Sequence, residues 1–192
     1  MSDRPLIAIA EAASGDAGAI AALHSASWRD AYAPLLPVGA LPDSLEAEHV
    51  ALWDKVLFAS PRRVLVLTAS QSGVLQGFAA LCADPDDDDL DYLAALHVRP
   101  GQRSSGLGAR LLLALAKSRR RSGRQRLWCW VLRENAGGRR FYAALGATEG
   151  VSQTVPLTET TDCVDIRLDF PPWAELIARC EARLAGRLER GG

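Results

Sequence analysis

One stretch restricts the fold more than any other. A short apolar run, Leu93 to Val98, meets Pro100-Gly101, which stops a strand; a loop of Arg, Ser and Gly follows, and an amphipathic segment opens near Gly106 and continues to about Ser122. The pattern predicts strand, loop and helix. Such a loop leaves backbone N–H groups unpaired at a helix N-terminus, where the macrodipole favours negative charge, and glycines let a phosphate approach the main chain. Arg103 adds a bidentate donor. The spacing Arg-x-x-Gly-x-Gly over Arg103, Gly106 and Gly108 is neither the dinucleotide-binding nor the P-loop pattern. Read alone, it is equally compatible with glycines that only permit tight packing and an arginine that is only solvated.

A second stretch removes that balance. Trp130-Val131-Leu132-Arg133-Glu134-Asn135 reads as the end of another strand, and Arg140-Phe141-Tyr142-Ala143-Ala144-Leu145-Gly146 reads as a helix closing on glycine. Taken with Leu96-His97-Val98-Arg99-Pro100 and the Arg103 to Gly108 loop, these residues resemble the GCN5-related N-acetyltransferases (GNAT). That family pairs a Leu-x-Val-x-Pro strand and Arg/Gln-x-x-Gly-x-Gly/Ala loop with a later Val-Leu-x-x-Asn strand end and a Phe-Tyr-x-x-x-Gly helix. The resemblance spans roughly residues 5 to 170.

The resemblance implies an α+β, three-layer fold: a mixed, mainly antiparallel sheet between helices, with acetyl-CoA in a gap between the fourth and fifth strands. It implies an acetyltransferase domain over residues 1–170 and a helical extension over 171–192. The activity implied is direct attack of a primary amine, on a small molecule or peptide, within one complex with acetyl-CoA. Carried over by position, Leu96, His97 and Val98 hold the pantetheine arm. Arg103, Ser104, Ser105, Gly106, Leu107 and Gly108 hold the pyrophosphate, and Asn135 bonds the arm or the acceptor. Tyr142 also touches the cofactor and stands as the general acid; a phenol with reference pKa of about 10 stays protonated at neutral pH and suits a thiolate leaving group. A protein N-terminal acetyltransferase of the ribosomal-protein type, and an acyl-CoA-binding regulatory module without catalysis, are the alternatives.

The general base is the departure from the family pattern. Many members carry a Glu early in the Leu-x-Val-x-Pro strand, where this chain has Tyr92; Asp91 is one register off, facing away in a regular strand unless a bulge intervenes. Asp91, Tyr92 and His97 are therefore the base candidates. Gly146-Ala147 replaces the family's frequent Gly-Phe, which concerns packing.

Elsewhere the chain reads simply. Strands are expected at Leu6–Ala10, Val64–Thr68, Gln76–Ala83, Arg126–Leu132, Thr148–Pro156 and Cys163–Phe170, and helices at 16–32, 43–58, 135–145 and 173–190. Pro34 and Pro37 end the first of those helices. His24, Trp28 and Tyr32 share one of its faces, which either packs on the sheet or walls the acceptor pocket, Trp28 and Tyr32 being the acceptor candidates. Asp84 to Asp91 reads as a solvated acidic loop or as a device that steers a cationic amine. Arg119 to Arg126 reads as a solvated helix end. The last helix carries an apolar stripe from Trp173 to Leu188 and packs on its own domain or in a homodimer.

Bulk properties agree. With 192 residues and 48% hydrophobic content one full core can form, and a net charge of -1 argues against a nucleic-acid binder. Cys82, Cys129, Cys163 and Cys180 lack metal-site spacing and suit reduced thiols in a cytoplasmic protein. No apolar run approaches the roughly 20 residues of a membrane span.

Overall fold

The computed structural model describes residues 6–33, 41, 43–59, 64–103, 105–119, 123–158 and 161–189. Pro34, Pro37, Ser104 and Ser122, named above, lie outside them. In chain order the elements are β1 Ala8–Glu11, α1 Ala17–Tyr32, α2 Leu45–Ala59, β2 Val64–Gln71, β3 Val74–Ala83, β4 Leu90–Val98, α3 Leu107–Arg119, β5 Arg126–Leu132, α4 Ala136–Ala143, β6 Thr148–Thr158, β7 Thr161–Asp169 and α5 Trp173–Leu188. Seven strands form one sheet in the order β1-β2-β3-β4-β5-β7-β6, antiparallel at every junction except the parallel β4–β5 pair. The expected α+β three-layer fold is the fold observed.

Two apolar layers sandwich the sheet. One face buries Leu81, Leu93, Leu127 and Leu168 against Leu111, Leu112 and Leu115 of α3 and Trp173, Leu176 and Cys180 of α5. The other buries Val66, Phe78 and Ala95 against Ile20 and Leu23 of α1 and Trp53 of α2. The apolar stripe of α5 thus packs within its own chain.

Two irregularities shape the centre. Ala80 pairs with Ala95 and Leu81 with Leu93, so Ala94 is an unmatched extra residue, a β-bulge in β4. An extra residue reverses the alternation of every side chain after it. Leu93 packs in the α3 layer, Ala95 in the α1 layer, and Leu96 and Val98 return to the α3 layer. The second irregularity is that β4 and β5 pair only at Leu90, Asp91 and Tyr92 and diverge beyond. The V-shaped gap therefore opens where the bulge begins.

The closed end of that V holds the acidic run. Arg126 bonds Asp89 at 3.1 Å and also pairs with Asp87; Asp84 accepts a 2.9 Å bond from Trp128 Nε1; Arg124 lies 3.6 Å from Asp88. Asp91 is fully buried beneath α3, 3.5 Å from Arg119 and 3.8 Å from Arg124. Asp87, Asp88, Asp89 and Asp91 thus pair with Arg119, Arg124 and Arg126, while the Asp88 side chain stays fully exposed, as a solvated loop would have it. Burial outweighs the two guanidiniums and raises the Asp91 pKa.

Gly77 of β3 sets how closely these parts meet. A Cβ there would stand 2.9 Å from the His97 carbonyl oxygen and 3.2 Å from the Leu107 and Leu111 methyls. Gly77→Ala is expected to destabilise the fold by roughly 1–3 kcal/mol through overpacking. Gly15→Ala, where nothing lies within 4 Å of the added methyl, is expected to leave the denaturation midpoint nearly unchanged. Urea titrations of the two variants check this contrast.

Candidate active site

The opening of the V forms a cavity of about 860 Å³. The second half of β4 lines one wall and Trp130 to Leu132 of β5 the other; the loop before α3, the start of α4 and part of α1 complete the lining. The sequence-predicted residues Leu96, His97, Val98, Arg103, Gly106, Leu107, Gly108, Asn135, Tyr142 and Trp28 all line it. Ser105 does not; its hydroxyl accepts the Leu107 N–H at 3.3 Å and caps α3. Ser104 and the side chain of Tyr32 lie outside what the structure describes.

The loop's geometry follows from its glycines. Gly106 adopts a φ of +87°, which a side chain would strain, and Arg187 and Leu184 of α5 lie 3.3 Å from where its Cβ would be. Gly108 leaves room for the Phe141 ring, 3.3 Å from its own missing Cβ. Arg103 pairs with Asp30 of α1 at 2.6 Å, tying the loop to that helix. On the far strand, Asn135 caps α4 through its Oδ1, which accepts the Gly138 N–H at 2.9 Å. Capping explains why an asparagine, directly after the short turn that follows β5, starts the helix at once. Tyr142 lies about two turns after the cap, its ring edge-on to Phe170 at 5.4 Å.

The base candidates separate. Asp91 is held under α3 by its arginines, and the bulge at Ala94, coming after it, leaves its facing unchanged. Tyr92 stacks on Trp128 at 4.5 Å, and burial raises its pKa. Neither lines the cavity; His97 does.

His97 is one of the chain's three histidines, and all three meet. The rings of His24 and His49 stack at 3.8 Å and 13°, and His97 lies 4.5 Å from His24 and 5.2 Å from Phe78. Hydrogen bonds assign two tautomers. Trp53 Nε1 donates to His24 Nδ1 at 3.2 Å, so a neutral His24 carries its proton on Nε2. Ser25 gives its only hydroxyl proton to the Ala21 carbonyl, so His49 Nδ1–H donates to Ser25 Oγ at 2.8 Å and keeps its lone pair on Nε2. Burial, with repulsion from His97 and His49, pushes His24 down to about 2. Burial, with repulsion from His49 and Arg103, pushes His97 down to about 4. Burial also lowers His49, opposed by Glu48 and aided by Arg29. Among the described residues no group of three His, Cys, Asp or Glu side chains can hold a metal ion.

Several lining residues were not singled out from sequence. Asp165 of β7 is the only carboxylate lining the cavity among the described residues; burial and Glu134 raise its pKa. Alternation with the buried Ile166 and Leu168 was its signal. Arg140, Arg183 and Arg187 also line the cavity, and nothing local marks them. No described helix is long and apolar enough to cross a membrane.

The comparisons with known proteins follow this geometry. The family model described as acetyltransferase (GNAT) family matches residues 21–147. An acetyltransferase of the same family from Desulfovibrio desulfuricans superposes with a TM-score of 0.66 at 20% identity, covering 85% of this chain and 99% of that one. The PaiA N-acetyltransferase of Thermoplasma acidophilum, solved with coenzyme A, gives 0.65 at 20% identity, covering 84% and 98%. A ribosomal-protein-alanine N-acetyltransferase from Brucella melitensis gives 0.62 at 18% identity, covering 84% and 98%. No curated protein sequence matches the chain.

The histidine stack makes stability depend on pH. A histidine whose folded pKa lies below its unfolded value of about 6.5 favours folding above that pH, and the benefit declines as pH falls towards the folded value. Stability is expected to fall from pH 6.5 towards pH 4 by up to roughly 1.4 kcal/mol per pH unit for each such histidine. Urea midpoints measured across that range should fall less steeply in His24→Phe than in the native protein.

Proposed function

The chain belongs to the acetyltransferase (GNAT) family, and we propose that it transfers an acetyl group from acetyl-CoA to a primary amine of a small molecule or peptide. The observation carrying this reading is that the residues matching both family motifs, 36 positions apart from Gly106 to Tyr142 in sequence, line one cavity between the diverging strands. The residues present fit coenzyme A. Glycines at 106 and 108 leave the loop backbone approachable, Arg103 stands beside them, and β4 beyond Tyr92 has no pairing to β5. When bound, acetyl-CoA supplies an acetyl group activated as a thioester.

The protein's own residues then divide the work. Leu96 to Val98 offer main-chain partners to the pantetheine arm, the Arg103 to Gly108 loop holds pyrophosphate, and Asn135, its Oδ1 spent on the α4 cap, offers its amide N–H groups. Holding both reactants in one orientation supplies much of the rate. Asp165 attracts the ammonium form of the acceptor, which loses one proton to solvent before it attacks, and Trp130 and Trp28 line the same cavity. His97 is the base: its basicity is low, so it takes the amine proton as bond formation makes that proton acidic. The Tyr142 hydroxyl gives its proton to the leaving sulfur.

A second reading has one observation in its favour, the absence of Asp91 and Tyr92 from the cavity lining. It is a regulatory module that binds acyl-CoA without turnover. The relative from Brucella melitensis keeps a peptide N-terminus among the acceptors to be tested.

Release of the coenzyme A thiol, measured against polyamines, aminoglycosides, amino acids and short peptides with calorimetric donor binding on the same sample, decides between these readings. Acceptor-dependent release is expected; tight donor binding with no release from any acceptor would favour the regulatory module. Tyr142→Phe should lower kcat by about 10²-fold or more, the usual range for a lost general acid, with donor affinity unchanged. Arg103→Glu should raise the donor Kd at least about tenfold, as expected for loss of a charge-assisted phosphate contact.

A further inference from the structure

α5 begins after the last residue matched by the family model, at position 147, yet it is built into one end of the cavity. Burial of Trp173, Leu176, Ile177 and Cys180 fixes its rotation on the core, and Lys117 of α3 pairs with Glu181 at 2.8 Å. That rotation brings Arg183 and Arg187 into the cavity lining. Arg187 Cδ and Nε stand 3.3 Å from the Cβ position that Gly106 leaves empty. The Arg183 guanidinium lies over the Phe141 ring at 5.6 Å, and Phe141 occupies the space beside Gly108. Each α5 arginine therefore meets one glycine of the loop.

With Arg103 and Arg140 they bring four guanidiniums to one cavity whose only lining carboxylate among the described residues is Asp165, on β7. Arg103 is already paired with Asp30 of α1; Arg183 and Arg187 stand beside the two loop glycines, where a phosphate seated on the loop backbone comes within their reach. The loop, with its single arginine, meets the pyrophosphate; the adenosine 5′-phosphate within it keeps acceptors to spare, the 3′-phosphate is a further dianion, and guanidinium is the side chain suited to both.

We propose that α5 selects the acyl donor at its nucleotide end: Arg183 and Arg187 hold a phosphate of the adenosine 3′,5′-bisphosphate half, so free coenzyme A thioesters are taken and thioesters on bare phosphopantetheine are discriminated against. This rests on the donor-site reading above.

Calorimetry of the full chain with coenzyme A, 3′-dephospho-coenzyme A and 4′-phosphopantetheine tests it in native, Arg183→Gln/Arg187→Gln and Arg103→Gln proteins. The double variant is expected to bind coenzyme A at least tenfold more weakly, with a shallower salt dependence, and to bind phosphopantetheine like the native protein. A penalty that disappears with the dephospho form assigns the 3′-phosphate; one that persists assigns the 5′-phosphate; either supports the proposal. Coenzyme A affinity within twofold of native in the double variant, alongside a loss in Arg103→Gln, overturns the role of α5 and leaves the donor site standing. An equal loss for all three ligands also overturns it, because phosphate recognition would not then be what was removed. No binding of coenzyme A by the native protein removes the donor-site reading itself. Arg183→Lys/Arg187→Lys keeps the charges and aliphatic stems; should the glutamine variant fail to fold, a severalfold loss confined to coenzyme A in the lysine variant supports the proposal, and none overturns it.

Discussion

One unmatched residue in the middle of β4 governs the site. Ala94 interrupts the pairing with β3 and reverses the facing of everything after it, so Leu96 and Val98 enter the α3 layer while His97 turns to α1. Without that reversal, alternation from Leu93 would aim His97 into the core beside α3 and the leucines at α1. The same place is where β4 leaves β5, since only Leu90 to Tyr92 pair across the parallel junction. Bulges bend a strand and strengthen its local twist. Facing and divergence thus share one origin, and both cavity walls depend on it.

Charge in this molecule is sorted by location. Arg103 of the loop and Arg183 and Arg187 of the last helix line the cavity, and Asp165 on β7 is the only lining carboxylate among the described residues. His24 and His97 line it as well, in contact with each other and, through His24, with His49. Stacking keeps the imidazoles neutral, because a proton on one raises the cost of a proton on its neighbours, and burial adds to that cost. The tautomers of His24 and His49 are set by Trp53 and Ser25, groups outside the cavity lining that fix its electrostatics from behind.

Much of this was legible in the sequence. Helix and strand periodicities located the elements to within a few residues, because burial of one face imposes a repeat that local composition records. The loop motif and Asn135-to-Gly146 segment were legible because caps, glycines and turns are local. The bulge was not: Leu93-Ala94-Ala95-Leu96 is apolar throughout, so an extra residue leaves no break in pattern. Nor was the meeting of His24, His49 and His97, which lie on three elements far apart in the chain. The stripe of α5 announced a packing face, yet the destination of Arg183 and Arg187 depends on which helix that face meets. The arginine partners of the acidic run were hidden for the same reason. A row of aspartates shows no partner until β5, with Arg126 at its start and Arg124 just before it, is laid beside it.

That cross-bracing has a consequence for how the chain tolerates change. Arg119, Arg124 and Arg126 answer Asp87, Asp88, Asp89 and Asp91 across the closed end of the V, with Asp91 fully buried. Losing one partner strands a charge, and at Asp91 it strands it out of reach of water. Losing both together removes the problem. Drift at this end of the sheet should therefore proceed by paired steps, and among diverged descendants the acidic residues before β4 and the basic ones before β5 would be found to disappear in company.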